Sequence, residues 1–554
     1  MAPMPLHLHG QYSVARAFAL EEYTRTTSFG RAIVICVVTG VPPLLGILLF
    51  DVVPLHDPFG GLKRNGIVIV RLFGSTIVLT IGILLQLKAD VPAAALSIKS
   101  CLSVSLVTSL GYIASYLLVA IYWIFPIPFG FFIFIPSWCV FFILSVGFAI
   151  GFRILRDNAA LKTQLNTFNR QMNIASCFLP IYLVYNIVFL RLTGTSRLAW
   201  VMVLPVIKII LKRLVARVAE DQVDRMPTRV ASVDVFNAMY QSKCMQATGS
   251  TWVTVVIIAI DVVQNVYSIR RLMHQMKHIE ELIGTMDALP TGENLLHRVV
   301  QGLEEPDHLD SQTILTLQAR SCARLSLQSD KQLMVERIEV IQTLARKRPS
   351  IPAIKQSSTR RISFLQLPVL SGASPLTTSK SQTSSSDLHA GALGLKNRVV
   401  PFSPAQEQRK RTRAIIASLD LVWKCEILLL VEYVEAAIPL LYAIYLSILY
   451  HLPNAKYYPG ISEMSQDQVD SAVASILLYA GLEVTSLVFV HVILKWKFNF
   501  SALHQLAFVF ETDWALVQGV LLAWVVIVLQ FTLVHYGTCM NFNELIVAPE
   551  VVEK

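Results

Sequence analysis

The stretch AVASILLYAGLEVTSLVFVHVIL, residues 472–494, decides the fold class. It carries one formal charge, Glu483, and is long enough to cross a ~30 Å hydrocarbon core at about 1.5 Å per residue. Runs of similar length and character occur at 32–50, 66–87, 101–124, 128–152, 174–190, 198–215, 250–269, 427–450 and 514–536. Together they predict an all-α, polytopic transmembrane bundle of about ten hydrophobic segments, within a range of about nine to eleven. Composition agrees. Over 554 residues, 54% are hydrophobic and 15% charged, with a mean hydropathy of +0.56. Soluble domains carry roughly a quarter charged residues.

The runs divide the chain into a tail at 1–31, a first membrane region at 32–269 of about seven segments, and a second at 414–536 of about three. Between them lie a polar helical region at 270–348 and a Ser/Thr-rich basic linker at 349–413; a tail at 537–554 follows. The first run starts near Ala32, behind Glu21, Glu22 and Arg25, so it reads as a retained helix rather than a cleaved signal. Residues 272, 276, 279, 283 and 286 place Leu, Met, Ile, Ile and Met on one helical face, an amphipathic continuation of segment seven. Leu333, Val335, Ile338, Ile341 and Leu344 mark a second helix. The linker has too few large apolar residues to offset the cost of ordering and is expected to be disordered.

Net charge is +10, with pI near 9.1. Much of it sits in connecting loops, where topology and anionic lipid account for it, so a lipid bilayer and not nucleic acid is the expected partner. The eight cysteines show no CxxC or zinc-finger spacing, and no metal or cofactor is expected. Arg153, Arg156, Lys162 and Arg170 argue for a cytosolic 153–173 loop and N-terminus; Lys495 and Lys497 argue for a cytosolic 270–426 loop. Ten full crossings cannot satisfy both. Segments six and seven interrupt their apolar runs with Lys208 and Lys212, and with Asp261, Gln264 and Asn265. One of these two is therefore expected to be re-entrant, leaving nine crossings.

Ionisable groups inside apolar runs are the main pointer to function, because a charge at the bilayer centre costs about 2.5–3.5 kcal/mol on insertion scales. Glu483, Asp261, Glu435 and Glu432 form the candidate intramembrane polar site, a cation site or proton relay; Glu432 and Glu435, three apart, share a helical face. The bland alternative is a structural hydrogen bond or ion pair, with Lys208 or Arg71 as counter-charge. Arg71 can also snorkel, and Lys208 with Lys212 reads as a membrane edge. Pro42, Pro43, Pro136, Pro180, Pro205 and Pro439 fall inside spans and can kink them, as in many transporter sites. In the linker, Arg-Arg-Ile-Ser at 360–363 resembles a basophilic kinase substrate, making Ser363 a candidate phosphosite; Ser374 and Ser403 precede prolines. No GxxxxGK[ST], HExxH or GxSxG motif is present.

FNAMYQSKCMQATGSTWVTVVIIAIDVVQ (236–264), LLLVEYVEAAIPLLYAIY (428–445) and LHQLAFVFETDWALVQGVLLAW (503–524) resemble a family of uncharacterised oomycete multi-pass membrane proteins. The resemblance implies membrane residence and no assigned activity. The leading expectation is a transporter- or channel-like protein handling protons or cations through those carboxylates. The alternative is a receptor or scaffold acting through a phosphorylatable cytosolic loop, with a membrane-embedded enzyme third. Plasma membrane and endomembrane are equally open.

Overall fold

A computed structural model describes residues 10–248, 251–284, 294–304, 314–323, 325–347, 404–530 and 532–537. Among the described residues the chain is helical and without strands. The phosphosite candidates Ser363, Ser374 and Ser403 lie outside them.

In chain order the helices are α1 (Val14–Thr26), α2 (Phe29–Val38), α3 (Val41–Val52), α4 (Gly66–Asp90), α5 (Ile98–Tyr122), α6 (Gly130–Ile133) and α7 (Ile135–Ile150). Then come α8 (Phe152–Asp157), α9 (Ala159–Ser176), α10 (Phe178–Arg191), α11 (Gly194–Val201), α12 (Val203–Val218), α13 (Met226–Thr248) and α14 (Thr251–Gly284). The remainder are α15 (Leu295–Glu304), α16 (Ser329–Lys347), α17 (Pro404–Tyr450), α18 (Pro459–Ser462), α19 (Gln466–Phe498), α20 (Ala502–Thr512) and α21 (Trp514–Gln530). Among the described residues, eight helical stretches are long and apolar enough to cross a membrane, nine if α20 and α21, bent by 82°, count as one. Their outward faces are apolar, as lipid requires: Val37, Leu49, Ile143, Phe148, Val263 and Phe489 are all more than half exposed.

That hydropathy criterion passes over α12 and α13, yet both run from one end of the bundle to the other. At the start of α13, Arg229 pairs with Asp90 at the end of α4; near its finish, Gln246 donates to the Gly460 carbonyl at 2.8 Å, and the Tyr442 hydroxyl donates to Gln246. α12 follows α11, whose Trp200 indole donates to the Tyr185 carbonyl of α10 at 3.2 Å. It finishes at the opposite end, where the Arg170 guanidinium donates to the Val218 carbonyl at 3.2 Å. The contacts decide the matter against hydropathy, because a helix covered by protein has no need to be apolar all round.

Segments six and seven, one of them expected to be re-entrant, lie in α12 and α14 and run along the bundle; the apolar spans among the described residues number eight or nine. The extra pass is α13, which no apolar run announced. The passes before the long loop are then α2 with α3, α4, α5, α7, α10, α12, α13 and α14, an even number, so α1 and the loop lie at the same end. We call it the loop end.

Residues 226–246 are buried throughout, apart from the half-buried Lys243. α13 packs against α10, α12, α14, α17, α19 and α21, while α21 packs on α3 and α4. The two membrane regions are therefore interleaved rather than separate bundles. α4 and α21 meet at two glycines: a Cβ on Gly519 would stand 2.5 Å from the Gly82 carbonyl oxygen.

At the loop end, the free amides of α1 are satisfied by the next region of chain. Val14 N donates to the Gln318 carbonyl at 2.8 Å, and Ala15 N to that of Ala319 at 3.1 Å. α14 continues past the apolar run, with Leu272, Met276 and Ile279 buried, so the amphipathic continuation rests on the bundle. In α16, Val335 and Ile338 are buried while Leu333 and Leu344 face outward. α17 begins at Pro404, so residues 404–413, expected to belong to a disordered linker, are helical. Their extension is anchored by Ile415 and Leu419, buried against α15 and its surroundings.

Candidate functional site

α19, the helix of the opening stretch, is fixed at both ends by local chemistry. Ser465 and Gln468 form a reciprocal capping box at its start; Asn499, at φ +50°, closes it behind Lys495 and Lys497. Between those ends Tyr479 and Glu483, one turn apart, face inward and are buried. Opposite them is α14 with Asp261 and Asn265, also one turn apart. The Tyr479 hydroxyl donates to Asp261 Oδ2 at 2.8 Å, and Asn265 Nδ2 donates to Glu483 Oε2 at 3.1 Å.

α13 supplies the third side. Gln241 Nε2 donates to the same Asp261 oxygen at 2.9 Å, and Asn237 Nδ2 donates to Gln241 Oε1 at 2.9 Å. Asp234, one turn earlier, accepts Lys212 at 2.7 Å and Lys208 at 3.3 Å, both from α12. Lys208 also pairs with Glu435 of α17. Glu432 lies a turn before Glu435, beside Ser486 of α19. Glu435, Asp261 and Glu432 all stand within electrostatic reach of Glu483.

The four carboxylates singled out in the sequence, Glu483, Asp261, Glu435 and Glu432, thus converge on one buried region. Of the two suggested counter-charges only Lys208 belongs there. Lys208 is buried and Lys212 half-buried in the cluster, and they do not mark a membrane edge; paired acids on α13 and α17 hold them there. Sequence reasoning missed Asp234, Lys212, Asn237, Gln241 and Tyr479, most of them on the helix it did not recognise.

Arg71 is elsewhere, at the end opposite the loop. It does not snorkel: its side chain is 2% exposed and meets Asp51 at 2.5 Å. Arg71 also donates to the Phe50 carbonyl at 3.1 Å and to the Tyr458 hydroxyl at 2.8 Å. Asp51 accepts the hydroxyls of Tyr458 at 2.7 Å and Tyr445 at 3.0 Å. Asn454 Nδ2 closes the assembly onto the Asp51 and Val53 carbonyls at 2.8 and 2.6 Å. A third ionic group lies at the loop end, where fully buried Arg16 holds Glu426 and Asp513, each at 3.0 Å.

The central cluster carries the largest excess of acid over base of the three. Glu483, Asp261, Glu435, Glu432 and Asp234 are five acids; Lys208 and Lys212 are two bases. A buried excess of negative charge must be balanced by protons or cations. Among the described residues, no three His, Cys, Asp or Glu side chains stand together as ligands of one metal ion. The sequence matches no known protein family and no curated protein, and the fold matches no solved structure.

Proposed function

We propose that the protein is a transporter- or channel-like membrane protein whose transported or coupling ion is the proton. The carrying observation is the central cluster: five carboxyls against two lysines, joined by hydrogen bonds to a polar helix enclosed by the bundle. A cluster serving stability alone would be expected to balance its charges, since buried ions without partners cost several kcal/mol each. Carboxyls that take up and release protons, oriented by hydrogen bonds from Tyr479 and Gln241, give such a cluster a use. The spread of the acids, with no three placed as ligands of one metal ion, favours protons over a directly ligated metal cation. The charge rule would set the loop end, with Arg153, Arg156, Lys495 and Lys497, in the cytosol.

The test is proton flux in proteoliposomes loaded with a pH-sensitive dye and polarised with valinomycin. Wild-type protein is expected to dissipate a proton gradient. Glu483→Gln, which keeps the shape but cannot ionise, should insert normally and lose flux, while Glu483→Asp retains a weakened flux. Wild-type flux from the Gln variant across a range of pH would remove Glu483 from the path. No flux from wild-type protein would overturn the proton reading.

A further inference from the structure

At the loop end α14 and α17 leave the bundle side by side, and a cavity of about 1320 Å³ opens between them. Its α14 wall carries Arg270, His274 and His278 at four-residue spacing, hence on one face, with Arg271 beside them. The α17 wall carries Arg413 and Lys424, and the acid Asp420, which holds Lys424 at 2.5 Å. Ile416 and Ala417 form an apolar part of the lining. The bases outnumber the single acid of these walls, in contrast to the acid-rich cluster deeper in the bundle.

The position of the cavity relative to lipid can be read from α14 itself. Val262, Val263, Val266 and Tyr267 are exposed apolar or aromatic side chains, and Arg270 follows within a turn. Lipid-facing surface therefore ends where the basic wall begins, with an aromatic ring at the boundary, the usual arrangement at a headgroup interface. Arginine suits phosphate oxygens because its planar fork donates two parallel hydrogen bonds. Basic pockets between helices at this depth are suited to phosphorylated headgroups, each nearby Arg or Lys contributing about a factor of five in binding.

We propose that this cavity binds the phosphorylated headgroup of an anionic membrane lipid, held between Arg270 and Arg271 on α14 and Arg413 on α17. The acyl chains then run down the exposed apolar face of α14. A bound headgroup bridges the long loop's two flanking helices and thereby couples lipid composition to the loop end of the bundle.

The experiment uses the full chain in detergent, titrated calorimetrically with short-chain phosphatidylinositol bisphosphate, and separately with inositol trisphosphate and inorganic phosphate. Saturable binding of the lipid is expected, weakened about thirtyfold in the double variant Arg270→Gln/Arg413→Gln. The double variant Arg153→Gln/Arg156→Gln removes the same charge from another exposed part of this end and should bind like wild type. Both arginine pairs are exposed, and unchanged thermal stability confirms that the variants fold. Inositol trisphosphate binding as tightly as the lipid would support the anion site and assign it to a free phosphorylated compound. Equal weakening in both double variants, or no saturable binding to wild-type protein, would overturn the proposal.

Discussion

Two buried ionic assemblies, both inside the same bundle, answer the cost of burial in opposite ways. Around Arg71 one base meets one acid, and two tyrosines and an asparagine supply further hydrogen bonds, with Arg71 Nε left over. Around Lys208 two bases face five acids, and Glu483 has one amide donor where Asp51 has three donors. The first assembly is balanced in charge. It ties α3, α4 and the segment after α17 into one piece, and nothing need come or go. The second carries an excess of acid, which protons would balance under the proposed function. The contrast is between a charge-balanced assembly and an acid-rich one.

Removing Asp51 should produce the largest effect. Asp51→Ala strands Arg71 in the interior and frees two buried hydroxyls, at a cost of about 3–5 kcal/mol. Thermal denaturation in detergent is expected to show most of the protein unfolding well below the wild-type midpoint, and proton flux should fall only as far as folded protein does. Lys208→Met comes next. Lys212 still neutralises Asp234, and the acids left behind can take up a proton, so a smaller loss of about 1–3 kcal/mol is expected. A loss as large as that of Asp51→Ala would erase the contrast between the two assemblies.

Glu483→Gln should move stability by about 1 kcal/mol at most, because the amide keeps the shape and a hydrogen bond to Asn265. Its effect belongs in the flux measurement. Severe destabilisation with no specific loss of flux per folded molecule would class Glu483 with Arg71 as structural. The smallest effect lies outside the membrane, where a half-buried contact of α1 offers a reference. Burial alone would raise the Glu21 carboxyl, but Lys331 at 2.7 Å and His297 at 3.0 Å hold it below its ordinary value. A depressed carboxylate contributes stability above its unfolded pKa and loses it as pH falls through the folded one. The protection factors of α16, corrected for the intrinsic pH dependence of amide exchange, should therefore fall modestly as pH drops below the usual carboxylate range, with the bundle unaffected.

Legibility in the sequence follows hydropathy closely. Glu483, Asp261, Glu435 and Glu432 stand out because each interrupts an apolar run, and all four reach the site. Asp234, Asn237 and Gln241 sit in RVASVDVFNAMYQSKCMQAT, which contains no long apolar run to interrupt. This helix is hidden from lipid by six neighbours, so its composition resembles a soluble segment. One trace of it was present: the charge bias of the two halves demanded opposite parities. Removing a crossing and adding one repair that conflict equally well, and only contacts at both ends of α13 choose between them. Arg71 was misread for a related reason. Its partner Asp51 closes the preceding run, so the pair spans a turn and neither residue interrupts a run at its middle.

The enclosure of α13 has a consequence for how the protein is made. A segment with Arg229, Asp234 and Lys243 along it would partition poorly from a translocon into lipid by itself. Three of its covering helices, α17, α19 and α21, and part of its polar partnership lie more than 150 residues later in the chain. α13 must therefore wait beside α10 and α12, or in the protein-lined mouth of the insertion machinery, until the last helices have been synthesised. Biogenesis is consequently non-sequential, and a chain interrupted anywhere in the long loop leaves its most polar helix without its final neighbours.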